Sequence, residues 1–470
     1  MKNSLKMLTV SVLSLLILPH LSSCGGSGTD DNTLRILVKD ADFGSEWIEK
    51  IADDFIADHP DIKVEITAQY DINSLIDYNL NSKNNQDDLY ISVGDRWKSY
   101  AASGKLASLD DLIEEEVDGV KVKDKVSEEF QSSIYFTRAN GDVHSYRLPW
   151  TSGVGGIFYN KKMFAENGWE VPTTFEELLA LCETINAAHV PVSTSDQIRK
   201  DVKPFAYTGS NTDYFDYTVF SWWAQIVGKD AINEFLKYES ADIFDVSKNP
   251  TYAGLKTATE YWNQLFTSEN YIAGSQSKDA ATAQKEFLNG YSAMMLNGDW
   301  LYNAILNYGS SSSSQFELGI MKTPVVAEAN PEYVNSTFVT GEDQFIAIPA
   351  SSKHQDLAKE FIKYIISDDG CKTFLSEANG FLAYDCSYED LNLSEGFIRD
   401  MIDLRETYTD KFTSFSSSRI YLCNTINIWS SSANRPYLNL LNNSTTIDRS
   451  FQTIASYASA SWADWLNNTR

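Results

Sequence analysis

The chain has 470 residues and carries 65 Asp and Glu against 38 Lys and Arg, which gives a net charge of −27 at pH 7. This charge excludes nucleic acid as a partner, because little positive charge is available to neutralise phosphates. The length allows two or three domains. There are five histidines and no G-x-S-x-G elbow, P-loop, H-E-x-x-H motif or dinucleotide fingerprint. The sequence therefore predicts no catalytic residues, no metal site and no cofactor.

Residues 1–23 are predicted to be a lipoprotein signal peptide. A basic start is followed by the apolar run Leu8 to Leu18, which is too short to span a bilayer. The Leu-Ser-Ser-Cys sequence ending at Cys24 resembles a bacterial lipobox, which implies lipidation of Cys24 and an extracytoplasmic protein anchored to the cell membrane. Residues 24–32 have the composition of a flexible tether. The alternative is an ordinary secreted protein that is cleaved nearby.

Alternating strand and helix patterns predict an α/β fold after the tether. The helical spacing from Trp47 to Ile56 predicts a helix, and the apolar runs before and after it are typical of strands. The predicted strands are Leu34 to Val38, Ile62 to Thr67 and Asp88 to Val93. Strands joined by helices form right-handed crossovers in a parallel sheet, and ligands bind outside the carboxyl ends of such strands.

Four polar residues are expected at that edge. Asp40 and Asp42 follow the first strand, and Asp95 and Arg96 follow the third. A carboxylate accepts hydrogen bonds and a guanidinium donates them, which suits the hydroxyl groups of a sugar. The alternatives are a solvated loop for the first pair and a helix cap for Asp95.

The stretch from Ala283 to Trp300 predicts a helix, a buried strand, a tight turn and a second helix. Gly290 can end the first helix in a left-handed conformation, and Asn297-Gly298 is a turn signal. Asp299 has the position of an N-cap for the second helix. Trp300 lies at the corner, where packing in the core is its ordinary role.

The pattern Phe-x-x-Gly-x-x-Ala-Met-x-x-x-Gly-x-Trp, which ends at Trp300, resembles the signature of the family 1 extracellular solute-binding proteins, the ligand-capturing subunits of ABC importers. The blocks 148–184 and 341–369 resemble the same family, so the resemblance extends over about 33–380. It implies a two-lobed periplasmic-binding-protein-like α/β fold. Each lobe is expected to be a mainly parallel sheet flanked by helices, with a hinge between the lobes.

The resemblance also implies lobe boundaries and the position of a hinge. The N-terminal lobe is expected to take 27–149 with 320–380, and the C-terminal lobe 150–319 with 381–470. The glycines between Trp150 and Gly156 make this segment a candidate first hinge, because glycine tolerates unusual backbone angles. Trp150 would then face the cleft, and its alternative is packing under the crossover.

Further ligand residues follow from the resemblance. In sugar-binding members the residue equivalent to Trp300 stacks on the ligand, and the Asp95-Arg96 pair is similar to one in maltodextrin-binding proteins. Those proteins also take an acid and an aromatic from the region of the aromatic-rich run 213–223, which implies ligand contacts for Asp216, Tyr217 and Trp222. The alternative for these three is core packing. Trp429 has the approximate position of a late stacking tryptophan.

The function implied is that of an extracytoplasmic substrate-binding lipoprotein that captures a mono- or oligosaccharide by hinge closure and delivers it to an ABC permease. We expect a monomer. The alternatives are a sensor lipoprotein for the same ligands and a binder of polyamines or another small solute. A secreted glycosidase is kept as an alternative because the many acids could supply a pair of catalytic carboxylates. It is a remote one because the resemblance is to binding proteins.

Four cysteines besides Cys24 show no metal-ligand spacing. Cys371 and Cys386 could pair in an oxidising compartment. The alternative is four separate buried thiols, at Cys182, Cys371, Cys386 and Cys423.

Overall fold

Two open sheets organise the part of the chain that the structure, a computed structural model, describes. The described residues are 32–40, 43–94, 96–138, 141–192, 200–211, 214–307, 316–388, 391, 396–414 and 436–468, the side chains of 307 and 464–468 excepted. In these ranges no helix has both the length and the apolar character needed to cross a membrane. The predicted signal peptide and Cys24 lie outside the described residues.

The described residues form strands and helices that alternate along much of the chain. The strands are β1 Thr33–Lys39, β2 Lys63–Gln69, β3 Leu89–Val93, β4 Glu116–Val117, β5 Val120–Lys121, β6 Tyr135–Thr137, β7 Val143–Ser145, β8 Gly153–Asn160, β9 Pro191–Val192, β10 Lys200–Asp201, β11 Lys203–Ala206, β12 Ser292–Gly298, β13 Leu318–Met321, β14 Ser336–Thr340, β15 Gln344–Ala347 and β16 Asp410–Phe412. The helices are α1 Glu46–Asp58, α2 Ile72–Asn81, α3 Arg96–Ala102, α4 Val122–Lys125, α5 Lys161–Asn167, α6 Phe175–Ala188, α7 Asp216–Val227, α8 Lys229–Phe235, α9 Pro250–Leu265, α10 Ala280–Leu288, α11 Leu301–Asn307, α12 Gln355–Ile366, α13 Asp368–Ala378, α14 Phe397–Thr407, α15 Pro436–Leu441 and α16 Ile447–Asn468. Short 3₁₀ turns lie at Leu112–Glu114, Glu128–Ile134, Ala241–Phe244 and Ser275–Ser277.

The first sheet has the strand order β15-β3-β1-β2. Strands β1, β2 and β3 are parallel, and β15 is antiparallel to β3. Ile36 and Val38 point into one hydrophobic cluster and Leu37, between them, points into another. Both faces of β1 are therefore covered, as expected for a sheet of parallel strands with helices on both sides.

The second sheet has the order β11-β12-β8-β14-β16, with β13 also pairing with β8. Strand β8 is antiparallel to β12, β13 and β14, whereas β11 is parallel to β12 and β16 to β14. Each sheet thus contains one described strand that runs against the others, β15 in the first and β8 in the second.

Several local predictions are confirmed. Thr174 accepts a hydrogen bond from the Glu177 N–H, and the Glu177 side chain bonds back to the cap, which is the predicted capping box of α6. Gly290 follows α10 with a φ of 73°.

The predicted turn at Asn297-Gly298 is wrong, because both residues continue β12 and pair with β8. The chain turns only after them, at Asp299.

The described strands also bear on the lobe boundaries, which stay a prediction. Strands β13 and β14 belong to the second sheet, and the chain returns to the first sheet at β15. Strand pairing therefore favours a second boundary near residue 340, later than the predicted one at 320.

Cys371 and Cys386 form a disulfide, which is the pairing that the sequence left open. It links α13 to the segment 381–388, where Ala383 donates its N–H to the Trp150 carbonyl at 3.0 Å. Cys182 is a buried free thiol, and burial raises its pKa to about 12. Cys423 lies outside the described residues.

Candidate functional site

The chain passes between the two sheets at residues 148–153 and again at 340–346, and these two segments are called the crossings. Strand ends of both sheets meet beside them. In the first sheet Leu148 pairs with Ile346, and in the second Gly153 pairs with Thr340. The strands β1, β2, β3, β11, β12 and β14 all end towards these crossings, because β8 and β15, which begin there, run against them. Ligands of α/β sheets bind at such carboxyl edges.

The crossings touch each other closely. Gly341 has a φ of 116°, and a β-carbon there would lie 2.0 Å from the Thr151 carbonyl oxygen. Glycine is therefore required at this contact. The Thr151 hydroxyl donates to the Gln344 side chain, which joins the same two segments through residues that the sequence analysis did not select.

Two aromatic rings lie at the edge of the second sheet on a floor of paired glycines. Gly155 of β8 is opposite Gly298 of β12. A β-carbon on Gly155 would lie 1.8 Å from a ring carbon of Tyr217, and one on Gly298 would lie 2.2 Å from the ring of Trp300. The two rings are 6.1 Å apart at 59°. Tyr217 is buried and Trp300 half-buried, so Trp300 is the more exposed of the two residues.

Three glycines of the predicted hinge segment lie in β8, and the hinge there stays a prediction. Gly153 to Gly156 belong to a paired strand, and Gly155 is needed to make room for the Tyr217 ring. Residues 150–152 of the predicted hinge segment lie before β8 and belong to the first crossing.

Asp299 lies between these elements and is fully buried. No described residue gives either carboxylate oxygen a hydrogen bond of good geometry, but the main-chain N–H groups of Val154 and Trp300 lie close enough to lower its pKa. Burial raises the pKa of Asp299 to about 7, against the opposing charge of Arg405. The sequence predicts Asp299 only as a helix cap, since burial of a residue beside a turn leaves no sequence pattern.

Arg405 approaches the same crossing from α14. Its guanidinium donates to the Ser152 carbonyl at 2.8 Å and lies 4.4 Å from the centre of the Phe381 ring. This contact was also missed, because nothing in the sequence links an arginine of α14 to residue 152.

The edge of the first sheet presents polar residues. Asp40 is exposed, and its main-chain N–H donates to the Gln69 carbonyl at 3.0 Å, which continues the pairing of β1 with β2. Arg96 is the first residue of α3, is largely exposed and forms an ion pair with Asp77. Both lie at the predicted edge.

Two predicted site tryptophans lie in the cores instead. Trp150 is 1% exposed and its ring stacks on Trp47 at 5.9 Å. Trp222 is 0% exposed and donates its indole N–H to the Pro324 carbonyl at 3.0 Å. Neither ring offers a face to a ligand in this conformation, so the alternative interpretation of both, core packing, describes them.

The predicted residues therefore separate into groups. Asp216, half-buried at the start of α7, joins Tyr217 and Trp300 on the second-sheet side, and Asp40 and Arg96 lie on the first-sheet side. Asp42, Asp95 and Trp429 lie outside the described residues. In the described part of the chain no group of three or more His, Cys, Asp or Glu could hold a metal ion.

Residues 40–370 match the sequence profile of the bacterial extracellular solute-binding proteins. The chain belongs to this family. A similar relative is the diacetylchitobiose binding protein DasA of Streptomyces coelicolor, which is 27% identical over 377 residues that cover 77% of this chain and 78% of the relative. The multiple sugar-binding protein of Streptococcus mutans is 25% identical over 338 residues, which cover 68% and 67% of the two chains.

Among solved structures, the GacH receptor of Streptomyces glaucescens, studied without ligand and with acarbose, superposes with a TM-score of 0.66 at 16% identity. The match covers 93% of this solute-binding protein and 99% of that chain. The predicted family and the predicted two-lobed α/β fold are thereby confirmed.

Ionisation of Asp299 is expected to destabilise this solute-binding protein. The pKa of an ordinary Asp carboxyl is 3.8, and that of Asp299 in the folded protein is about 7. Between these pH values the folded protein therefore holds one proton more than the unfolded chain. The stability that this proton provides is present below pH 4 and is lost as the pH rises to 7. At ~1.4 kcal/mol per pKa unit the loss amounts to about 4 kcal/mol.

Urea unfolding at pH 5 and pH 8 measures the part of this loss that falls above pH 5, which is about 3 kcal/mol at ~1.4 kcal/mol per pKa unit. Asp299→Asn should flatten the dependence of the unfolding free energy on pH, whereas Asp54→Asn, at an exposed position of α1, should leave it as in the parent. An unchanged dependence in the Asp299 variant would contradict the assignment.

Proposed function

We propose that the protein captures a carbohydrate, either a mono- or an oligosaccharide, between its two lobes and delivers it to the permease of an ABC importer. The observation that carries the proposal is the half-buried Trp300 ring, which rests on Gly298 beside Tyr217 at the carboxyl edge of the second sheet. Aromatic faces of this kind stack on the CH groups of sugar rings. The relatives named for diacetylchitobiose and for multiple sugars support the same ligand class.

The polar residues at both edges complete the proposed site. Asp40 and Arg96 can accept and donate hydrogen bonds on the first-sheet side, and Asp216 can accept them on the other. Asp42, Asp95 and Trp429 remain proposed ligand residues on the strength of their sequence positions. A ligand held by both sides would favour the closed form, because it gains contacts there that the open form lacks.

A polyamine is the second candidate ligand. Asp40 follows β1 of the first sheet, and Asp216 begins α7, whose Tyr217 ring covers Gly155 of the second sheet. Carboxylates at these two positions would attract a cation. The protein is proposed to bind its ligand without changing it chemically. We also propose that the protein acts as a monomer anchored to the cell membrane on its extracytoplasmic side, at the outer face or in the periplasm.

Small-angle X-ray scattering tests closure. Maltotriose, diacetylchitobiose and spermidine would each be added, and the ligand that binds should lower the radius of gyration of a monomeric particle, because the lobes approach each other. Mass spectrometry should then recover that ligand unchanged. If only spermidine lowers the radius of gyration, a polyamine replaces the carbohydrate as the proposed ligand. Turnover of any sugar would overturn the binding-protein proposal.

A pair of tryptophan variants tests the stacking residue. Trp300→Ala should weaken sugar binding by about 1 to 4 kcal/mol, the usual cost of removing a central contact. Trp222→Ala, at a fully buried position, should instead lower the free energy of unfolding by about 3 to 5 kcal/mol. Calorimetric titration and urea unfolding of both variants measure the two effects. Unchanged affinity in the folded Trp300 variant would remove this residue from the site.

Lipid anchoring through Cys24 has its own test. Cells producing Cys24→Ala should lose palmitate labelling of the protein and release it from the membrane fraction, because the acylated residue is gone. The parent should stay with the membrane after a high-salt wash, which removes proteins held by charge alone. A variant that still resists this wash would refute the anchor.

A further inference from the structure

Tyr70 is a large aromatic residue left open at the edge where the ligand is proposed to bind. It follows β2 directly, and its side chain is 76% exposed. Strand β2 is the outermost strand of the first sheet, next to β1. The carboxyl ends of these two strands lie side by side, so Tyr70 is a neighbour of the exposed Asp40.

A contact with β1 holds the Tyr70 segment in place. The Lys39 ammonium donates to the Tyr70 carbonyl oxygen at 3.0 Å and lies 4.8 Å from the centre of the Tyr70 ring. Cation–π contacts of this kind favour one ring position. A ring that is already positioned loses less freedom when a ligand stacks on it, which favours binding.

Exposure alone would not distinguish Tyr70, since single exposed apolar residues are common on protein surfaces. Tyr78 on α2 is almost equally exposed, at 72%. It lies six residues into a helix that starts at the carboxyl edge, and therefore about 9 Å further along the helix axis from Ile72. Tyr70 differs from Tyr78 in its position at the strand end and in its contact with Lys39.

The strand order sets the length of a ligand that reaches Tyr70. Neighbouring strands are about 4.8 Å apart, and β1 lies between β2 and β3. Arg96, which begins α3 just after β3, is therefore about 10 Å from the end of β2, because two strand spacings separate β3 from β2. A single sugar ring cannot contact both places, whereas a chain of rings can.

We propose that Tyr70 is an outer stacking platform that selects oligosaccharides over monosaccharides. The inference rests on the proposed carbohydrate-binding function and specifies its substrate class. The inner rings contact Trp300 and the polar residues of the strand ends, and a further ring lies against Tyr70.

The test is calorimetric titration with two series of defined length. One series runs from N-acetylglucosamine to its β-1,4-linked tetramer, and the other from glucose to maltotetraose. In the series that binds, Tyr70→Ala should lower the affinity for the trimer and tetramer about 3- to 10-fold, the range typical of one aromatic contact. The affinity for the monomer should not change.

Matched variants separate stacking from other effects. Tyr70→Phe keeps the ring and should retain the parent affinity, and Tyr78→Ala removes an equally exposed tyrosine and should also bind as the parent does. Loss of affinity at every length, or in the Tyr78 variant to the same degree, would overturn the platform.

The remaining outcomes distinguish this inference from the proposed function. If the parent binds a series and Tyr70→Ala binds every member equally well, or if the parent prefers the monomer, the platform is wrong and the carbohydrate function stands. If the parent binds no member of either series, the carbohydrate function fails for these sugars and the platform fails with it.

Discussion

The pairing of the two crossing segments is the constraint on which the rest of the structure depends. Leu148 pairs with Ile346 in one sheet and Gly153 with Thr340 in the other, so antiparallel pairing between these two segments joins both sheets. A strand that begins at this contact has to run away from it. The strands that do so are β15 and β8, and their neighbours accordingly end where the crossings lie. The position of the site follows from this arrangement of the chain.

The packing beside the crossings explains why glycines and large aromatic residues occur together there. The paired glycines of β8 and β12 allow two aromatic rings to approach the main chain, and Gly341 allows the second crossing to approach the first. The buried Arg147 supports the same region by donating to the main-chain carbonyls of Ser133 and Glu342 at 3.1 and 3.0 Å. Charge-assisted bonds to carbonyls compensate a buried guanidinium for its lost hydration.

The sequence predicted well those features that depend on local periodicity or on a motif. The strand before Asp40 and the capping box at Thr174 are of this kind. Trp150 and Trp222 were less predictable, because an aromatic residue in a core and one in a site have the same local pattern. Their burial depends on helices and loops that are distant in the sequence.

Missed features share a physical cause, which is contact across long sequence separations. The raised pKa of Asp299 results from burial by several elements, and Arg405 contacts Ser152 from more than two hundred residues away. Asn297-Gly298 was misassigned because a glycine pair of this type usually forms a turn. Here the glycine is required by the Trp300 ring that covers it.

The late position of β15 has a consequence for how the chain folds. Gln344 pairs with Val93 across about 250 residues, and the whole of β8 to β14 comes between them. The first sheet therefore cannot be completed until β8, β11, β12, β13 and β14 of the second sheet have been synthesised. Contacts this distant raise the contact order and slow folding, since loop closure has to precede the stabilising contact. A chain with this connectivity can complete its first sheet only late in synthesis, so the N-terminal strands wait for their last partner.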